Sequence, residues 1–239
     1  HSGNAFVRNI NSDVPSFIRP FSYTINQPNQ LAQHHLGKAE IYWRYSDNAK
    51  LTFKYGKQIN KRDEFDVRRN ADRPIIDLDL ITNDYQLEWK HPDWLMLDGL
   101  VGMQLFTQFN DNNPGTGVTS VIPNYKTVRY SGFIIESFKK DHNTYEAGLR
   151  LDYELNSVAG RQTNQAIFSD QFSFSNLTSS IGYVREISEN TSFRTNIGTA
   201  WRTPNMSELY SFGQHGFKTT FGLLRYYTSE AGDVKTNQV

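Results

Sequence analysis

The segment 144–155 constrains this chain more than any other. Tyr145, Ala147, Leu149, Leu151, Tyr153 and Leu155 alternate without exception with Thr144, Glu146, Gly148, Arg150, Asp152 and Glu154. Successive residues of a strand point to opposite faces, so one face of this segment is wholly apolar and the other carries three carboxylates and an arginine. A helix would scatter both sets around its circumference, so the segment reads as a β-strand with one dry and one wet face.

The same period of two recurs along the chain. Ala39, Ile41, Trp43 and Tyr45 oppose Lys38, Glu40 and Arg44; after Ser46-Asp47-Asn48, Leu51, Phe53, Tyr55 and Ile59 oppose Lys50, Thr52, Lys54 and Gln58, which predicts a hairpin. Tyr85 to Trp89, Val101 to Leu105, Leu177 to Tyr183 and Phe193 to Trp201 continue the series to about eight strands. The stretch 128–139 fits less well, because Phe133, Ile134 and Ile135 run together and Glu136 breaks the phase. Connections alternate in length: breaks near 47–49, 140–143 and 187–190 are tight and 91–97 is somewhat longer, whereas those near 65–80, 111–127 and 157–170 are long. Short turns at one end and long loops at the other are the habit of a transmembrane barrel, turns periplasmic and loops extracellular.

Composition narrows the alternatives. Lys and Arg balance Asp and Glu at 25 each, without the cationic surplus that a phosphate backbone demands, so nucleic acid is not an expected partner. Hydrophobic content is 37% and no run approaches the ~18 apolar residues of a membrane helix. A membrane barrel needs apolar residues only at every second strand position, so that content is compatible with one. With no cysteine, disulfides, thiol catalysis and Cys-ligated zinc drop out together. The charged face suits a wet lumen, which puts the apolar face outside, with Tyr45, Trp89, Tyr153 and Trp201 as interface aromatics. A soluble antiparallel sheet with its polar face in water remains the alternative, as does a complete small barrel acting as adhesin or hydrolase.

Few residues suggest chemistry. His34-His35 reads as a loop feature, and His1, His91, His142 and His215 lie at no metal-ligand spacing, so no metal, cofactor or catalytic residue is expected. Asp111 to Gly117 is oxygen-rich but lacks the spacing and closing Glu of a calcium loop. The mixed run Lys61 to Arg73 reads as a solvated loop whose arginines help gather an anionic ligand at a barrel mouth.

Ile197-Gly198-Thr199-Ala200-Trp201-Arg202-Thr203-Pro204-Asn205-Met206-Ser207-Glu208-Leu209-Tyr210 resembles a motif of TonB-dependent outer-membrane receptors, an aromatic-Arg-x-Pro at a strand end followed by Glu-Leu-Tyr. Gly198, Ala200, Trp201, Arg202, Pro204, Glu208, Leu209 and Tyr210 carry the match. Lys61 to Arg69, Pro114 to Gly117 and Ile122 to Tyr125 are similar to loops of the Bacteroidetes-type iron and siderophore branch. The family often continues with a Gly-x-His-His-Gly block, of which Gly213-Gln214-His215-Gly216 keeps one histidine, and its later Glu-x-Gly-Asn-Pro stretch has no counterpart in 219–239.

The resemblance implies an all-β chain, a transmembrane antiparallel segment of about eight strands within a plugged barrel of about 22. Residues 1–37 are then expected as extracellular loop, 38–203 as strands and loops, and 204–239 as extracellular loop, with no plug domain. His1 to Asn4 show no signal peptide and the end near Val239 shows no closing strand, so an internal fragment is expected. The implied role is uptake of a ferric chelate or similar scarce nutrient across the Gram-negative outer membrane. Implied partners are membrane lipid, TonB acting through the plug, and a small-molecule iron complex. Possible ligand contacts are Arg68, Arg69, Arg73, Tyr125 and His215, with Trp201 at the outer interface, Pro204 ending the strand and Glu208-Leu209-Tyr210 beginning a loop.

Overall fold

The structure, a computed structural model, describes residues 7–8, 11–14, 20–23, 27–66, 73–94, 96–161, 166–215, 218–230 and 233–236. Eight strands form one antiparallel meander in which each pairs only with its neighbours in sequence: β1 (Asn29–Ser46), β2 (Ala49–Phe65), β3 (Ile76–Lys90), β4 (Leu97–Asn112), β5 (Asn124–Lys140), β6 (Asn143–Arg161), β7 (Ile167–Ser188) and β8 (Thr191–Gly198). The tight turns fall where the alternation breaks, at 47–48, 141–142 and 189–190, with a longer one at 91–96. Asp141 supplies the left-handed residue of its two-residue turn at φ 53, a conformation Asp tolerates better than most side chains. Beyond β8 come a short helix α1 (Met206–Tyr210) and two small hairpins, Phe212–His215 with Lys218–Phe221 and Tyr227–Glu230 with Asp233–Thr236.

Register shows how the wall is inclined. Ala39, Tyr55, Tyr85, Leu105, Tyr130, Tyr153 and Ser175 are successive cross-strand partners. From this row to the tight-turn end, β1 runs seven residues (Ala39 to Ser46) and β7 thirteen (Ser175 to Ser188). A stagger of about one residue per strand, at roughly 3.4 Å per residue against about 4.8 Å between strands, tilts the strands by roughly 35°, a value suited to barrel closure. The apolar stretch from Tyr145 to Leu155 then stands about 28 Å tall, close to the ~25 Å apolar band of a membrane barrel.

Crowding distinguishes the two faces. On the polar face Thr52, Asn110, Thr127, Ser131, Glu154 and Asn156 are buried, whereas on the apolar face Met103 and Leu151 are 62% and 58% exposed. Side chains converge on the inside of a curved wall and splay on its outside, so the polar face is concave and the apolar face convex. Aromatics gather at the tight-turn rim of the convex face. Trp89 Nε1 donates to the Tyr45 hydroxyl at 2.7 Å, Trp43 packs on Tyr45, and Tyr145 on Tyr183 at 5.2 Å between ring centroids. Tyr130 and Tyr153 each lie eleven residues from their turns at Asp141 and His142, the count expected of an outer girdle, whereas Trp201 lies beyond the end of β8, outside the paired wall.

Several strands outrun their sequence pattern. β1 begins at Asn29, nine residues before the alternation at Lys38, so His34 and His35 are strand residues on opposite faces and not a loop; His34 bonds Asn60 across the β1–β2 pair. β3 and β7 likewise start at Ile76 and Ile167, inside stretches expected as loops. Above the apolar band both faces meet water, and pairing continues where nothing enforces alternation. Glu136 has a different explanation. It lies on the outward face opposite Gly99 and Ala147, and His91, only 5% exposed, folds over from the 91–96 turn with its Nε2 2.9 Å from the carboxylate. A charge that would otherwise meet the band's edge is thereby paired.

Candidate functional site

The concave face of β3–β6 carries a continuous polar network. Arg150 Nη2 reaches Asp152 Oδ1 at 2.8 Å, the Ser131 hydroxyl at 2.8 Å and Gln104 Oε1 at 2.9 Å, while Gln104 donates to Asp84 at 2.8 Å. One step toward the loops, Arg129 pairs with Glu154 at 2.6 Å, and Asn156 joins Glu154 to Thr127. Both arginines also lie over rings, Arg129 on Phe106 at 5.2 Å and Arg150 on Phe133 at 5.7 Å. These cations are therefore already matched within the wall. The network can sustain a polar lumen, and it leaves capture of an anion to the loops above.

The motif found in the sequence forms a clasp above this network. β8 pairs with β7 as far as Gly198, opposite Ser180, and the Thr199 amide still bonds the Ser179 carbonyl at 2.8 Å. The chain then leaves the wall and turns onto its concave face, where the Thr203 hydroxyl meets Glu154 at 3.2 Å. Pro204, which has no amide hydrogen to extend a ladder, precedes Asn205, whose side chain accepts from the Glu208 amide at 2.9 Å while the Glu208 carboxylate accepts from the Asn205 amide at 2.9 Å. This capping box starts α1, so Glu208-Leu209-Tyr210 is helix and not the beginning of a loop. Arg202 grips Glu208 through two bonds of 2.8 and 2.6 Å, and together with the Asn205 amide it holds the Glu208 carboxyl down to about 2.

Helix α1 buries Met206, Leu209 and Tyr210 against Val158, with Tyr125, Phe168, Phe172 and Phe174 around them. The Tyr210 ring stacks on Phe168 and Phe172, and its hydroxyl donates to Asp170 Oδ2 at 2.6 Å; burial, with Asp170 alongside, pushes its pKa upward. Of the motif residues, Leu209 and Tyr210 enter one small core at the loop end of the lumen wall, while Arg202 and Glu208 secure the helix start from its exposed side. The asparagine-x-x-glutamate spacing of a capping box was the sequence signal for this helix.

The loops meet around the clasp. A cleft of about 500 Å³ opens between the 112–120 loop, the 159–161 end of β6 and the Phe168–Tyr210 pair. Arg73 donates from Nε to the Gly115 carbonyl at 2.6 Å, joining the β2–β3 and β4–β5 loops. Among the other possible ligand contacts, Tyr125 is built into the wall, its ring beside the α1 core and its hydroxyl donating to Gln108 at 3.0 Å. His215 ends a described strand, with nothing described of its side chain, and Arg68 and Arg69 lie outside the described residues. The structure therefore brings Arg73 to the cleft rim and places Tyr125 beneath the loops.

With this geometry in place, the comparison with family models is decisive: the TonB dependent receptor-like, beta-barrel model matches residues 2–235. The chain belongs to that family. No curated protein and no solved structure matches it. Barrels of this family sit in the outer membrane and serve transport, not enzymatic catalysis, and the family implies TonB and a small-molecule ligand as partners. The eight-stranded sheet is accordingly a stretch of receptor barrel wall, with its charged face toward the lumen and its apolar face toward lipid.

Proposed function

We propose that this wall and its loops serve TonB-dependent uptake of a ferric chelate of the siderophore type or a similar scarce nutrient. The observation that supports this reading is the division of labour between wall and loops. Wall cations Arg129 and Arg150 are matched by carboxylates, whereas Arg73 reaches the rim of an open cleft, and Arg68 and Arg69 precede it in the sequence. Guanidinium groups clustered at a mouth attract anionic ligands and fork onto carboxylate or catecholate oxygens. In this reading Arg68, Arg69, Arg73 and His215 make first contact, and Tyr125 braces the loops from beneath. TonB acts through a plug that enters the lumen against the polar network, and the loop resemblance to the Bacteroidetes-type iron branch supports an iron complex as the ligand.

The test is growth of a strain lacking the full-length gene on single iron sources, with cobalamin and glycans as parallel nutrients. Loss of growth on one ferric chelate alone is the expected result, restored by the wild-type gene and poorly by one with the three loop arginines changed to Ala. Unchanged growth on every iron source, with loss on cobalamin or a glycan, would overturn the choice of ligand.

A further inference from the structure

The lipid-facing side of β2–β7 is not smooth. A hollow of about 1060 Å³ lies within the apolar band, centred on Gly132, above whose Cα there is open space. Gly132 stands in a cross-strand row with Leu87, Met103, Leu151 and Leu177. The next row toward the loops supplies Tyr85, Leu105, Tyr130, Tyr153 and Ser175. The absent side chain at Gly132 turns the space between these rows into a trough. Because the strands tilt, the trough climbs as it crosses from β2 to β7, spanning about 24 Å over five strand spacings. Its upper end, at Ser175, is fourteen residues above the Glu189 turn, beyond the apolar stretch of β6.

A second hollow of about 450 Å³ lies on the same face just above, separated by the row of Thr107, Val128, Leu155 and Ser173. Its outward floor includes Phe109 and Ala159, and its polar groups on that face come from Asn124, Lys126, Ser157, Ser169 and Gln171. Lys126 is exposed and pairs with no carboxylate among the described residues; Asp111, nearby on the outward face, is engaged by Asn124 at 2.6 Å. An apolar trough in the band, surmounted by a smaller hollow that adds hydroxyls, amides and one cation, matches the two halves of a single amphiphile.

We propose that these hollows form one lipid site on the outside of the barrel. An acyl chain of an anionic, phosphate-bearing membrane lipid lies in the trough over Gly132, and its phosphate meets Lys126. The lipid belongs to the leaflet on the long-loop side and would hold the wall beneath the α1 clasp. This inference rests on the apolar face meeting lipid, not on which nutrient is transported, so it can fail while the uptake reading stands.

The test uses the full-length receptor, stripped of lipid in detergent and titrated with phosphatidylglycerol or phosphatidylcholine under native mass spectrometry. One phosphatidylglycerol should remain bound per barrel. Gly132→Leu, which fills the trough, should lower retention of both lipids by roughly fivefold or more, and Lys126→Gln should reduce phosphatidylglycerol to the level of phosphatidylcholine. Lys57→Gln, an outward lysine on β2, should change neither. Resistance of the barrel to SDS without heating verifies that each variant is folded. Retention unchanged in both Gly132→Leu and Lys126→Gln, or lowered equally by Lys57→Gln, would overturn the site. A change in oligomeric state with unchanged lipid retention would also overturn it, by assigning the trough to a second copy.

Discussion

β7 and β8 leave the same tight turn and fare differently. β7 runs for 22 residues, from the turn to the loop end, while β8 pairs for eight before the chain swings onto the concave face. Within the membrane, strand pairing is the one way an exposed backbone can stay satisfied, so the lower part of both strands is governed by alternation. Above that level other side-chain contacts compete with the ladder. In 199–211 they win, through Pro204, the Asn205–Glu208 box, the Arg202 grip and the small core under α1. The wall is thus specified by a repeating pattern and the clasp by individual residues, and the two should respond differently to substitution.

The largest effect is expected from Leu209→Ala, which empties the core of the clasp. It should weaken α1 docking by about 2–5 kcal/mol, read as faster hydrogen exchange of amides 206–210 in the full-length receptor, with the wall strands unchanged. Leu151→Arg tests the wall instead: an arginine on the lipid face near mid-band should cost about 2–4 kcal/mol of barrel stability in a denaturant titration in lipid. Thr178→Arg, on the lumen face one strand away, should cost far less. Asn205→Ala removes the cap and should loosen α1 by about 1 kcal/mol, detected as earlier proteolytic cutting between 199 and 211. Tyr210→Phe, which deletes only the hydroxyl bonded to Asp170, should cost about 1 kcal/mol by the exchange assay.

The smallest effect is on pH dependence. The Glu208 carboxyl is lowered from 4.5 to about 2, so its contribution to the clasp is complete above pH 4.5 and declines as pH falls toward 2. Exchange of the α1 amides, corrected for intrinsic rates, should show that dependence in the wild type and lose it in Glu208→Gln. A profile of equal slope in both would assign the acid sensitivity to another group.

Much of the wall was legible because the lipid enforces a period of two: the eight strands, the tight turns and the wet inner face all follow from Ala39 to Ile197. Legibility ended where that constraint ended. The outer portions of β1, β3 and β7 carry polar residues on both faces, as Gln33, His34 and His35 do, and so resembled loops. Glu136 appeared as a defect in β5 because its partner, His91, comes from a turn 45 residues away. At the clasp the residues were recognised but not their geometry: the capping box is a local signal, whereas the Thr203–Glu154 and Tyr210–Asp170 bonds span 49 and 40 residues.

The central claim is that one face of this sheet meets lipid and the other a polar lumen. The segment contains no cysteine, so single cysteines can be placed at each position of 144–155 in the full-length receptor and probed in bilayers with a membrane-impermeant thiol reagent. Strong labelling at Glu146, Gly148, Arg150 and Asp152, alternating with protection at Ala147, Leu149, Leu151 and Tyr153, is the expected result, with Glu154 left out of the comparison because it is buried beneath the clasp. Equal labelling at both sets would contradict a lipid-facing apolar surface and with it the barrel wall.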